Sequence, residues 1–212
     1  TGATTIDSAT LTQSGGSLNT VTLGAGGVLA ASSGTATTVT AGNATSDVDL
    51  SGDASVTTLD LDGGTGHSIA GTAEVTGATT IDSATLTQSG GSLDSATIGS
   101  GGTLIISGGA VTNTVTNNAG GTVVLGGGSL GGLTNGGVID GNGGTTTIAG
   151  SYDNVNGITN GVTTTTNPAT IITFSDLNST FTNSAGINAG GGSVTINAAN
   201  IVINGGTTTG TV

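Results

Sequence analysis

Lysine and arginine are absent from this chain, against 12 acidic residues, and the formal net charge is −12. Nothing is available to neutralise phosphates, which excludes nucleic acid as a partner. Anionic lipid surfaces repel such a chain, so direct membrane binding is excluded unless a divalent cation intervenes. Trypsin has no cleavage site, which suits a protein exposed to proteases. Cysteine is absent as well, in keeping with an extracellular bacterial protein that disulfides do not staple. No apolar run approaches the length of a membrane-spanning helix. A signal peptide and an initiator Met are both lacking, and a mature or trimmed product is expected.

Tryptophan and methionine are missing too, and Tyr152, Phe174 and Phe181 are the only aromatics. Hydrophobic residues reach only 33%, many of them Ala, whereas glycine numbers 43. A compact globule would need more apolar bulk to offset ordering entropy of about 1–2 kcal/mol per residue. Disorder is excluded by the regular spacing of Val, Ile and Leu. Collagen is excluded because glycine does not recur every third residue and proline occurs once.

What is present is repetition. TGATTIDSATLTQSGGSL occupies 1–18 and returns unchanged at 76–93, and 23 of the 29 positions in 1–29 match 76–104. Beneath this long repeat runs a shorter one. Val21, Val39, Val56, Val75, Leu93, Val111, Leu130 and Ile148 recur at a nearly constant interval of about 18 residues. A second series is Leu11, Leu29, Val48, a gap, then Leu86, Leu104 and Val123; a third is Ile6, Leu23, Ile81, Ile98, Val115 and Leu133.

Each marker lies in a strand-like triplet such as TLT or TVT, whose central side chain points one way and its Thr neighbours the other. SGG, AGG and LGG punctuate the strands where positive φ is needed for a tight corner. Helix is excluded by the dominance of glycine and β-branched residues. The expectation is an all-β, elongated parallel β-solenoid with about 18 residues per rung. One rung buries about three aliphatic side chains, each contributing roughly 1.5–3 kcal/mol, so a lone rung unfolds while an array holds. The first series is expected to form one continuous buried column. Residues 1–150 read as regular solenoid, 151–190 as an irregular insertion, cap or junction, and 191–212 as terminal solenoid strands with Val194, Ile196, Ile201 and Ile203 inward.

GGTLIISGGAVTNTVTNNAGG at 101–121 resembles the short repeats in passenger domains of self-associating bacterial autotransporter adhesins. GSVTINAANIVINGG near the end resembles strands of filamentous-haemagglutinin-type exoproteins. The resemblance covers about half the chain. It implies a right-handed β-helix at the bacterial cell surface, acting in adhesion, self-association or a surface layer. A passive stalk within a larger adhesin is the alternative.

The sharpest local feature is a group of acids, Asp47, Asp49, Asp53, Asp60 and Asp62. SDVDL and TLDLD each place two carboxylates on one face of a strand, flanking an inward Val48 or Leu61. Asp47, Asp49, Asp60 and Asp62 are therefore candidate ligands for calcium, the one candidate cofactor, because hard oxygen donors suit it. The competing reading is solvated acids that keep a rod soluble. His67 reads as a solvated turn residue, with Ile69 filling the gap in the second series. Glu74 and Asp82 are the acid pair that glycoside chemistry would use. Without Lys, Arg or an aromatic platform to hold a sugar, no enzyme activity is expected. Outward Thr from TxT strands would suit an ice-binding face, although the triplets recur irregularly. Two N-x-[ST] sequons, at Asn43 and Asn178, mark possible surface glycans. Copy two is led in by GTAEV and copy one is not, and TTTGTV follows directly on a strand-like segment. Further segments of the same polypeptide, or identical subunits stacked head to tail in a filament, are the expected partners.

Overall fold

The computed structural model describes residues 2–141, 145–148, 152–154, 158–159, 170–174, 180–183, 187–197, 200–203 and 208–211, with side-chain environments for 2–140 and Thr146. The strands are β1 (Ala3–Ile6), β2 (Thr10–Leu23), β3 (Val28–Ala41), β4 (Asp47–Leu61), β5 (His67–Ile69), β6 (Glu74–Ile81) and β7 (Thr85–Gln88). There follow β8 (Ser92–Ile98), β9 (Thr103–Ile106), β10 (Ala110–Asn117), β11 (Thr122–Leu125), β12 (Ser129–Asn135), β13 (Val138–Gly141) and β14 (Thr145–Ile148). The last are β15 (Tyr152–Asn154), β16 (Ile158–Thr159), β17 (Thr170–Phe174), β18 (Thr180–Asn183), β19 (Ile187–Asn197), β20 (Asn200–Ile203) and β21 (Thr208–Thr211).

Every strand pairing is parallel, as β2–β3, β6–β8 and β9–β11 illustrate. The chain is a β-solenoid of about eight turns with about 18 residues per turn. No helix among the described residues is long and apolar enough to cross a membrane. Alternation explains the interior. In TLTQ of β7, Leu86 and Gln88 are buried while Thr85 and Thr87 are half-buried. The inward side chains stack on their counterparts one turn away, and the core is a set of aliphatic columns along the axis.

The second series forms one such column, with Leu11 pairing Leu29, Leu29 pairing Val48, and Leu86, Leu104 and Val123 continuing above. The first series does not form a single column. Val21 pairs Val39, but Val39 pairs Leu59, whereas Val56 pairs Ala36 below and Val75 above. From Val56 the column runs as expected through Val75, Leu93, Val111, Leu130 and Ile148. The third series is likewise split, because Val115 and Leu133 stack above Ala96, beside the Ile6–Leu23 column. Turn length is the cause. Paired residues on adjacent turns up to Leu130 and Ile148 lie 16 to 20 positions apart, so counting alone cannot tell one column from its neighbour.

The corners explain the glycines. Gly91, Gly101, Gly109, Gly120 and Gly128 all have positive φ at corners between the later strands. At Gly27 and Gly102 the requirement is space. A Cβ there would overlap the backbone carbonyls of Ile6 and Ile81. Ser8 and Ser83, two residues on in each copy, both adopt left-handed backbone, with φ of 50° and 53°. The duplicated sequence thus rebuilds the same corner four turns later.

Beyond Ile148 the ladder continues with a longer period: Tyr152 pairs Phe181, and Ile158 pairs Ile187. β19 crosses the boundary at 190/191, and β20 lies within 191–212. The inward direction of Val194, Ile196, Ile201 and Ile203, and the character of much of 151–190, fall outside what the structure describes.

Candidate functional site

The group of acids sits on β4 and the turn after it. Val48 and Leu61 are buried, and the flanking Asp47, Asp49 and Asp60 point outward, half-buried. Each acid finds a neutral neighbour one turn away or a position at a corner. Ser68 Oγ donates to Asp49 Oδ1 at 2.5 Å, and Thr72 Oγ1 donates to Asp53 Oδ1 at 2.8 Å. Asp60 lies between Thr40 and Thr80 in the ladder, on a different column from Asp47 and Asp49, and Asp62 is exposed at a corner. Among the described residues no three of His, Asp and Glu gather where they could hold a metal ion. Glu74 and Asp82 do not form a pair either. Glu74 begins β6 and Asp82 follows its far end, and Glu74 Oε1 accepts a hydrogen bond from Ser55 Oγ at 3.2 Å.

His67 departs from expectation. It is not solvated: it is 1% exposed and occupies the gap in the second column, against Leu86. Ile69 is also buried, one inward position along, stacked on Leu50. Both ring nitrogens are satisfied by backbone. The Val48 N–H donates to Nδ1 at 3.0 Å, and Nε2 lies 2.7 Å from the Gly63 carbonyl, to which it donates. That pattern defines a neutral ring protonated at Nε2. Gly64 makes room, since a Cβ there would press on Nε2 and Cε1. Asp47 Oδ1 lies 3.6 Å from Nδ1 but has no hydrogen-bond partner, although that oxygen is buried. Burial raises the Asp47 pKa above the usual carboxylate value, and the neighbouring Asp49 charge adds to the rise. The sequence signal for a buried His67 is the alternation in HSI, which reads inward, outward, inward.

A second polar device lies beyond what the sequence reading identifies. Asn117 and Asn135, at 1% and 0% exposure, replace the aliphatic residues of the Ile6–Leu23–Ile81–Ile98 column. Asn117 Nδ2 donates to Asn135 Oδ1 at 2.7 Å and to the Val138 carbonyl at 3.0 Å. Asn154 and Asn183 continue the register. The recurrent TN or DN with glycine close behind is the available clue.

The outer surface is more ordered than the spacing of TxT suggests. Thr5, Thr22, Thr40, Asp60, Thr80, Thr97, Thr116 and Thr134 pair in succession, forming one outward file with Asp60 among the threonines. Thr20, Thr38 and Thr58 form a parallel file two positions away. Strand pairing sets about 4.7–4.9 Å between neighbours along a file. Uneven turn lengths scatter the triplets in sequence, and the corners absorb the difference.

Comparison of the chain with family models, curated proteins and solved structures finds no match in any of the three.

Proposed function

We propose that this chain is a structural, non-enzymatic segment of a secreted bacterial cell-surface protein, a rod that self-associates in a filament or surface layer and serves adhesion or cell–cell association. The observation that supports this reading best is the structural equivalence of the two long-repeat copies. The same peptide builds the same corner and presents the same outward Thr and Ser four turns apart, so the rod lengthens by duplication without new design. Its partners on this reading are other copies of itself or further segments of the same polypeptide, and its place is extracellular. A passive stalk is the weaker form of the proposal.

With a net charge of −12, rods repel one another at low ionic strength, and screening relieves that repulsion. Sedimentation of the purified chain across salt concentrations tests the reading. Growth of larger, end-joined or laterally joined species with salt is expected. A single-chain mass at every salt and protein concentration would leave only the stalk.

The threonine file favours one second reading, a face that orders water and binds ice. Its test is thermal hysteresis of a dilute solution, lost on Thr22→Leu with Thr97→Leu. No hysteresis in the parent chain would remove it.

A further inference from the structure

The two sequons fare differently in the fold. Asn178 lies outside the described residues, whereas Asn43 is on the turn between β3 and β4, half-buried, with Ala44 and Thr45 exposed. Asn43 Oδ1 accepts two hydrogen bonds from Thr45, one from its N–H at 3.2 Å and one from its hydroxyl at 3.0 Å. Thr45 Oγ1 itself accepts the Gly26 N–H of the neighbouring turn at 2.9 Å, which leaves the hydroxyl proton directed at Asn43. The Asn43 backbone carbonyl is held by Ser46, through its N–H at 3.0 Å and its hydroxyl at 2.6 Å. Asn43 Nδ2 has no hydrogen-bond partner among the described residues.

We propose that Asn43 is an acceptor for N-linked sugar transfer onto the folded chain. A carboxamide nitrogen is a poor nucleophile because its lone pair is delocalised into the carbonyl. Transfer therefore requires that charge be stabilised on Oδ1 while Nδ2 gives up a proton. Two preorganised donors on that oxygen supply such stabilisation, in the manner of an oxyanion hole. Thr45 is thus a positioning and activating residue. The co-substrate is a sugar joined through its anomeric carbon to the diphosphate of a nucleotide. Nδ2 attacks the anomeric carbon as the carbon–oxygen bond to the diphosphate breaks. The bonding electrons leave with the nucleoside diphosphate, and the Nδ2 proton passes to a base of the transferase. The product is a glycosyl amide, and no oxidation or reduction occurs. This assignment goes beyond the structural role proposed above and stands without it.

The test incubates the purified chain with a soluble nucleotide-sugar-dependent N-glycosyltransferase and UDP-glucose, beside a control sequon peptide. Cleavage at aspartate replaces trypsin, and mass spectrometry maps the sites. One hexose is expected on the peptide carrying Asn43, added faster to the folded chain than to the heat-unfolded one. Asn43→Gln removes it, Thr45→Val slows it by about tenfold or more, Thr45→Ser largely restores it, and Asn178→Gln leaves it unchanged. Should Thr45→Val fail to fold, Asn43→Gln and the folded–unfolded comparison decide. An unmodified Asn43 beside a modified control peptide overturns the proposal. So does faster transfer to the unfolded chain, which would mean the motif alone is read.

Discussion

Residues 1–18 and 76–93 are the same peptide in two surroundings. In the second copy Leu86 and Leu93 are buried, with His67 and Val75 stacked against them from the turn below. In the first, Leu11 and Leu18 are only partly buried, because no turn of the described chain lies beneath them. Gln13 and Gln88 make the same bonds. Each Nε2 donates to a carbonyl across the corner, Thr35 at 3.1 Å in one copy and Ala110 at 2.9 Å in the other. Yet Gln13 is 7% exposed and Gln88 0%, and Ile6 is 6% exposed against 0% for Ile81. The glutamine bonds and the Ser8 and Ser83 corner are therefore written in the peptide itself, whereas burial, and with it stability, is conferred by the neighbouring turn.

The largest effect should come from spoiling the surface on which copy two rests. Val75→Asp places a charge without a partner in a dry column, at a cost of several kcal/mol. Chemical denaturation should show the middle of the rod unfolding while the outer turns of the later half persist. Next in size is a paired truncation. Leu86→Ala removes a fully covered side chain and should cost about 2–5 kcal/mol, whereas Leu11→Ala, the same change in the same peptide, should cost well under half of that. Equal losses would show that stacking is not the source of the difference.

A smaller effect is expected at His67. Replacing it by Leu keeps the column filled but strands the Val48 N–H and the Gly63 carbonyl, costing about 1–3 kcal/mol. His67→Ala adds a cavity and should cost more, and thermal melts of the two variants rank them. If His67→Leu matches or exceeds the parent, the backbone bonds to the ring contribute little.

How much of this is legible in the sequence depends on the residue. The column through Leu11, Leu29, Val48 and Leu86 can be read by spacing, because each of these residues is the second of its strand, just after a corner. The series from Val21 to Ile148 cannot, because β3 and β4 run through a bend and carry inward residues in two adjacent columns. His67 reads as solvated because its polarity outweighs its position. Its nitrogens are satisfied by backbone atoms brought in by the fold, and such partners exist only in three dimensions. Asn117 and Asn135 are invisible for the same reason: each is costly alone and is stabilised by its stacked neighbour and by the backbone of Val138 and Gly137. The acids are easy to see in the sequence, but spacing cannot show that Asp49 and Asp53 are held by Ser68 and Thr72.

The smallest effect is electrostatic. Burial raises the Asp47 pKa in the folded chain, so the folded state holds that proton more tightly than the unfolded state. The resulting stability is present at pH below the usual carboxylate range and is lost as pH rises through the raised value. Asp47→Asn should therefore be slightly more stable than the parent at neutral pH, with the advantage shrinking on acidification. Melting curves at several pH values check the sign, and an advantage that grows in acid would reverse it.

Amide hydrogen exchange resolved by NMR compares the two copies without altering a residue. The central claim is that a turn is stable because of what it stacks on, not because of its own sequence. Amides of Thr10–Leu18 should then exchange through local opening, orders of magnitude faster than those of Thr85–Leu93. Adding a second copy of residues 57–75 ahead of Thr1 should bring the first set to the protection of the second. Equal protection in the unmodified chain, residue for residue, would contradict the account.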